Sequence, residues 1–179
     1  ENHLEISLQQ GAAKETTLNV DEWKKAQVVV ISIKHCSLNK EDIKVLQYVW
    51  QKLTGMVHLI MKPINDVSED VITSIARALD KPTRLQKLEL DFRACSVTDQ
   101  NINILMEHVF SESIYLKSLE IYLHSSNLTN DSMESLAENL LNKAKRLEEF
   151  TLDLKRTRIN DRGLTHVFKS LAPVKSLSL

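Results

Sequence analysis

Leu85-Gln-Lys-Leu88-Glu-Leu90, Leu116-Lys-Ser-Leu119-Glu-Ile121 and Leu147-Glu-Glu-Phe150-Thr-Leu152 are three copies of one phrase, L-x-x-L-x-L, in a chain of 179 residues. Working outward from them, weaker copies appear at Glu1-Asn-His-Leu4-Glu-Ile6, Val28-Val-Val-Ile31-Ser-Ile33, Met56-Val-His-Leu59-Ile-Met61 and Val174-Lys-Ser-Leu177-Ser-Leu179. Read this way, the copies recur at intervals of 27, 28, 29, 31, 31 and 27 residues. Alternation of apolar and polar residues inside each phrase predicts a strand. A unit of that size recurring at a fixed period buries its apolar side only by stacking on its neighbours, so the chain reads as an array.

The residues after each phrase are equally regular. An apolar anchor (Leu38, Val67, Val97, Leu128, Ile159) is followed at once by Asn39, Ser68, Thr98, Thr129 or Asn160, the side-chain types that cap the free amides of a helix start. Ile43, Ile72, Ile102, Met133 and Leu164 come next, then Leu46, Ile75, Leu105, Leu136 and Val167, then Trp50, Leu79, Val109, Leu140 and Leu171. That spacing lines one face of a helix. Acidic residues fill the first turns (Glu41, Asp42, Glu69, Asp70, Asp99, Asp131, Asp161), where the helix dipole favours negative charge. Each unit is therefore expected to be strand, turn, helix. In the first unit Leu18, Asn19, Trp23 and Ala26 match the anchor, cap and helical positions after an insertion containing Gly11-Ala-Ala, so residues 9 to 17 are expected to protrude as a loop.

The run Val28-Val-Val-Ile31-Ser-Ile33-Lys-His-Cys36-Ser-Leu38 resembles the leucine-rich-repeat consensus L-x-x-L-x-L-x-x-N/C-x-L. With a helix in every unit, the resemblance is to the ribonuclease-inhibitor-like subclass, as in NOD-like receptor arrays and Ran GTPase-activating proteins. It implies an α/β solenoid of about six repeats plus a terminal strand, with a curved parallel sheet on the concave face and helices on the convex face. The middle repeats depart from the consensus by two residues at Asp91-Phe92-Arg93, Tyr122-Leu123-His124 and Asp153-Leu154-Lys155, where polar, apolar, basic alternation predicts that each strand extends by one further inward residue.

Composition agrees. At 42% hydrophobic and 26% charged, with net charge −1, the chain has no apolar run of the roughly 20 residues that span a bilayer, and no charge excess to favour nucleic acid or an anionic membrane. Three Gly and three Pro leave no flexible linker, so residues 1–179 are read as a single leucine-rich-repeat domain. It begins and ends on strands without polar capping units, which is expected of a segment of a longer protein.

Cys36 and Cys95 each stand two residues before the helix anchor, two repeats apart, and are expected to be inward-facing core thiols too distant to bridge. Free thiols favour a reducing compartment, whereas the sequons Asn127-Leu-Thr129 and Asn130-Asp-Ser132 would matter in a secreted protein. Cap-rich turns produce such triplets readily, and the expected localisation is cytoplasmic.

No phosphate loop, paired-cysteine metal spacing, G-x-S-x-G or H-E-x-x-H motif occurs. The expectation is a non-enzyme with no cofactor and no metal. The strand positions that alternate with the buried ones form three columns: Glu5, Ser32, Ile60, Glu89, Glu120, Thr151, Ser178; then Ser7, Lys34, Lys62, Asp91, Tyr122, Asp153; then His3, Val30, His58, Lys87, Ser118, Glu149, Ser176. Glu89, Asp91, Glu120, Glu149 and Asp153 form an acidic field containing Tyr122 and Lys87, opposite a basic side at Lys34 and Lys62, with a rim of Arg93, His124 and Lys155. The expected role is binding of a protein partner on this concave face. Two other readings stay open: solvated strand residues that pair their charges across the sheet, and a sensor or autoinhibitory array of a NOD-like receptor or a GTPase-activating regulator.

Overall fold

The computed structural model describes residues 3–9, 24–34, 44, 47–48, 51–53, 55–64, 71–73, 75–76, 84–93, 95–110, 115–171 and 174–178. Seven strands run β1 (His3–Gln9), β2 (Val28–Lys34), β3 (His58–Ile64), β4 (Lys87–Asp91), β5 (Ser118–Tyr122), β6 (Glu149–Asp153) and β7 (Ser176–Ser178). They form one sheet in sequence order, and every neighbouring pair is parallel. Sequential parallel strands need a crossover, and among the described residues helices lie between the strands from β2 onward. Those fully described are α1 (Asp99–Val109), α2 (Asn130–Lys143) and α3 (Asp161–Ser170). Val71, Ile72, Ile75 and Ala76, between β3 and β4, are likewise helical and buried.

One side of the sheet and the helices share a continuous core. Val29, Ile31, Leu59, Met61, Leu88, Leu90, Leu119, Ile121, Phe150 and Leu152 meet Ile102, Leu105, Met133, Leu136 and Val167 there. The alternate strand residues consequently lie on the opposite side, away from the helices.

From β3 onward the register is the one read from the phrases, with His58 opposite Lys87, Lys87 opposite Ser118 and Ser118 opposite Glu149. The first two pairings are shifted by two residues. Val30 lies opposite Ile60 rather than His58, Ser32 opposite Lys62 rather than Ile60, and Glu5 opposite Val30 rather than Ser32. The reason is that the second repeat begins at Ala26, not Val28. Ala26 is buried just before β2, as Met56, Leu85, Leu116 and Leu147 are just before the strands that follow them. It is not the helical residue the pattern suggested. Lys34 accordingly pairs with Ile64, so Lys34 and Lys62 do not share a column.

Each of the three fully described helices begins where the capping pattern places it. Thr98 and Asn101 form a reciprocal box: the Thr98 hydroxyl accepts the Asn101 N–H, and the Asn101 side chain accepts the Thr98 N–H at 3.0 Å. Thr129 and Asn160 accept the amides of Asp131 and Arg162. Asp99, Asp131 and Asp161 occupy the first turns. The first residue of one helix also binds the cap of the next. Asp99 accepts from both the Thr129 amide (2.8 Å) and the Thr129 hydroxyl (2.6 Å). Thirty-one residues on, Asn130 accepts from the Asn160 amide and donates to the Asn160 side chain, each at 3.1 Å. Neighbouring repeats are thus locked together at their helix starts.

The extra residues after the strands turn inward as alternation predicted, but the strands do not lengthen to include them, ending at Asp91, Tyr122 and Asp153. Phe92 and Leu123 are fully buried and Leu154 packs against the core, while Phe92 and Leu123 still donate to the next strand at Tyr122 and Asp153. The chain then turns. Cys95, Ser126 and Thr157 donate their amides to the carbonyls of Phe92, Leu123 and Leu154. Ser125 (φ 64°) and Arg156 (φ 58°) sit at the third position of two of these turns, in the left-handed region. Cys95 faces inward at the expected place, with its thiol 3.8 Å from the Arg93 carbonyl. At the same place in the next two repeats the hydroxyls of Ser126 and Thr157 donate one residue further back, to the carbonyls of Leu123 and Leu154. Gln9 closes β1, so the loop read at 9 to 17 starts no earlier than residue 10. Residues 10–17, the first-repeat helix at Leu18, Asn19 and Trp23, Cys36, and the caps Asn39 and Ser68 lie outside the described residues.

Candidate functional site

The strand face carries three columns in the observed register. The first runs Val28, His58, Lys87, Ser118, Glu149, Ser176; the second Glu5, Val30, Ile60, Glu89, Glu120, Thr151, Ser178; the third Ser32, Lys62, Asp91, Tyr122, Asp153. The β2–β3 half of the second column is aliphatic, with Val30 and Ile60 half-buried side by side. The β4–β6 half is charged.

Lys87, on β4, reaches diagonally to Glu120 on β5, Nζ to Oε1 at 2.6 Å. The other carboxylate oxygen, Oε2, accepts the Tyr122 hydroxyl at 2.7 Å. Over the Tyr122 ring lies the Arg93 guanidinium, 5.4 Å from the centroid, which grips Asp91 with two parallel bonds of 2.7 and 2.5 Å. Residues 87, 120, 122, 93 and 91 therefore form one connected chain of contacts across β4 and β5. Such a chain holds long side chains in a single arrangement.

Protonation follows from these contacts. Burial pushes the Glu120 carboxyl up, but hydrogen bonds from Lys87 and Tyr122 outweigh it and hold the group below its ordinary 4.5, with the charges of Lys87 and His58 adding to the effect. Burial likewise raises Asp91, and the two hydrogen bonds from Arg93 with the nearby Lys62 charge bring it below 3.8. Donation to Glu120 pushes the Tyr122 phenol up to about 12. Lys87 is held charged by its bond to Glu120, with Glu89 and Glu149 contributing. All four groups are locked in one protonation state near neutrality.

Of the expected acidic field, the structure brings Glu89, Asp91, Glu120, Glu149 and Asp153 onto one face but neutralises two of them, Glu120 through Lys87 and Asp91 through Arg93. The charge-pairing reading therefore describes these two positions, where a strand residue has a cation within reach. Glu89 is half-buried and Glu149 exposed. Asp153 accepts the Lys155 amide at 3.1 Å. The rim residues Arg93, His124 and Lys155 are in the turns and not on extended strands, because each strand ends at the residue two before them. Arg93 folds back over the sheet, whereas His124 is half-buried and Lys155 exposed. Two members were missed. His58 lies beside Lys87 and acts on Glu120, and the Val30–Ile60 pair adjoins Glu89. Starting the second repeat at Ala26 would have shown the latter.

Among the described residues, clefts open on the helix side between α2 and α3 and between α1 and α2. The α2–α3 cleft, about 320 Å³, is lined by Glu134, Ala137, Glu138, His166, Lys169 and Ser170. His166 Nε2 stands 3.7 Å from Glu134 in it, beyond hydrogen-bonding range. The α1–α2 groove is lined mainly by polar side chains such as Asn103, Glu107 and Asn139. Among the described residues no group of three His, Cys, Asp or Glu is placed to hold a metal ion. Among them, too, no helix is long and apolar enough to cross a membrane. Of the two sequons, Asn127 is exposed, whereas the Asn130 side chain is engaged with Asn160.

No protein-family model matches this chain, and no curated protein does. Among solved structures, leiomodin-1 actin-binding site 2 (ABS2) superposes with a TM-score of 0.57 over 79% of this chain and 80% of that one, at 13% identity. At that identity the likeness shows fold alone. Together with the parallel sheet and its alternating helices it establishes a leucine-rich-repeat-like architecture.

Proposed function

We propose that this chain is a non-catalytic protein-interaction module that takes a protein partner on its strand face, the concave side of a ribonuclease-inhibitor-like solenoid, in the cytoplasm. The observation that carries the reading is the chain of contacts from Lys87 through Glu120, Tyr122 and Arg93 to Asp91, which fixes five large polar side chains on an open face before any partner arrives. Preorganisation of this kind lowers the entropic cost of binding, and the core, already sealed on the other side of the sheet, does not require it. A protein partner suits the face better than nucleic acid, because its cations are held in pairs with carboxylates rather than in a basic stripe. The solved structure of similar fold is named as an actin-binding site, which gives a precedent for protein binding on this architecture. A buried, unbridged Cys95 suits a reducing compartment.

The test is affinity capture from native lysate with the wild type and with Glu89→Lys, Glu149→Lys and Asp153→Lys combined. These three carboxylates are chosen because reversing Asp91 or Glu120 would set a cation against Arg93 or Lys87 and compromise folding. A partner held by the wild type and lost by the variant is the expected outcome. Equal capture by both moves the site off this face.

A further inference from the structure

The second column of the strand face changes character along its length, and the change specifies a ligand. Val30, Ile60, Glu89, Glu120 and Thr151 are direct neighbours on β2 to β6. Two aliphatic positions are therefore followed by two acidic ones in a straight line across the strands. Strands lie about 4.8 Å apart, and an α-helix advances roughly 5.4 Å per turn. A helix laid along the column would meet one strand per turn, and over four strands the mismatch accumulates to only about 2 Å.

Charge beside the column fixes the polarity of the ligand. Lys87 sits among Glu89, Glu120 and Glu149, so these four side chains carry a net charge of −2, with the neighbouring His58 also acting on Glu120. The third column carries no negative excess: Lys62 and Arg93 act on Asp91, and the Arg93 charge also acts on Asp153. The uncompensated charge thus lies beside the aliphatic pair and not at the rim.

We infer that the strand face binds a cationic amphipathic helix of a partner protein, with two successive turns placing aliphatic side chains on Val30 and Ile60 and the next two placing Arg or Lys over Glu89, Glu120 and Glu149. This inference rests on the protein-interaction reading above and narrows it to one class of partner. Recognition would follow the helix-in-groove mode, in which anchors recur every three to four residues.

The experiment uses the full chain and three synthetic helical peptides of about 18 residues, titrated by calorimetry. One carries Leu on two successive turns and Arg on the next two; the second has the same composition with that spacing scrambled; the third has Glu in place of Arg. The expected result is that the first binds about ten-fold more tightly than the second and that the third does not bind. Ile60→Ser and Glu89→Gln should each weaken the first peptide several-fold, with circular dichroism showing the fold retained. Equal binding of the first and second peptides would reduce the face to diffuse electrostatics and overturn the inference, as would no binding at all. Failure here is separable from failure of the broader reading. If lysate capture yields a partner that depends on Glu89, Glu149 and Asp153 while the designed peptide does not bind, the partner-binding face stands and the helix is excluded.

Discussion

At the scale of single residues, Glu120 is the junction of the strand face, accepting from Lys87 on one oxygen and from Tyr122 on the other. The Tyr122 phenol, raised from 10.0 to about 12, favours the neutral form in the folded chain. Its contribution to stability is complete below pH 10 and is lost as pH rises through about 12. Glu120→Gln should therefore bring the Tyr122 titration to lower pH, measured by the tyrosinate absorbance difference against a Tyr122→Phe control; an unchanged curve would refute the contact. Glu120 and Asp91 behave oppositely. Their folded values lie below 4.5 and 3.8, so the stability they contribute is present above those values and disappears as pH falls through the lower folded ones. The urea midpoint of the wild type should fall more steeply below about pH 5 than that of a Glu120→Gln, Asp91→Asn double variant. Because Lys87 and Glu120 are both partly exposed, a double-mutant cycle between them should return a coupling of no more than about 1 kcal/mol. The identities of these residues were legible in the sequence, since alternation marks which strand positions face away from the core. Their pairing was not, because which of several carboxylates a lysine reaches depends on rotamers that periodicity does not encode.

At the scale of elements, the helix starts were legible because capping is local: Thr98, Thr129 and Asn160 each act within three residues of themselves. The locks between repeats were not legible, because Asp99 and Asn130 look like ordinary first-turn residues until the neighbouring cap is brought against them. Gly163 tests the lock directly. A Cβ there would stand 2.5 Å from Asn130 Oδ1, so Gly163→Ala must displace the side chain that accepts from the Asn160 amide. In the wild-type background the substitution should destabilise by about 1–2 kcal/mol. In an Asn130→Ala background that obstacle is gone and the remaining contact, Ile159 Cγ2 at 3.2 Å, asks only a few tenths of an ångström of give, so the same substitution should stabilise by up to about 1 kcal/mol through helix propensity. Chemical denaturation of the four proteins reads the change of sign. Two effects of the same sign would show that Gly163 is present for another reason.

At the scale of the molecule, seven strands in sequence order mean that each repeat touches only its neighbours. The array was legible because three nearly ideal phrases set the period, yet the register slipped at β2. There Val28, Val29, Val30, Ile31 and Ile33 are apolar on both faces, so alternation offers two frames, and the residue that decides between them is the small Ala26, which carries almost no pattern. Nearest-neighbour packing has a consequence for how the chain comes apart, since stability in such an array is a sum of local and interface terms. Phe150, on β6, is 1% exposed, and truncating a buried Phe to Ala costs about 3–5 kcal/mol. That loss falls on one repeat and its two interfaces. Amide exchange in Phe150→Ala should accelerate in β6, α3 and β7, with a smaller effect in α2, while β3, β4 and α1 keep their protection. Mass spectrometry of peptic fragments would read the gradient. Uniform acceleration from β3 to β7 would mean instead that this stretch unfolds as one cooperative unit, with the locks at Asp99 and Asn130 coupling repeats more strongly than nearest-neighbour packing allows.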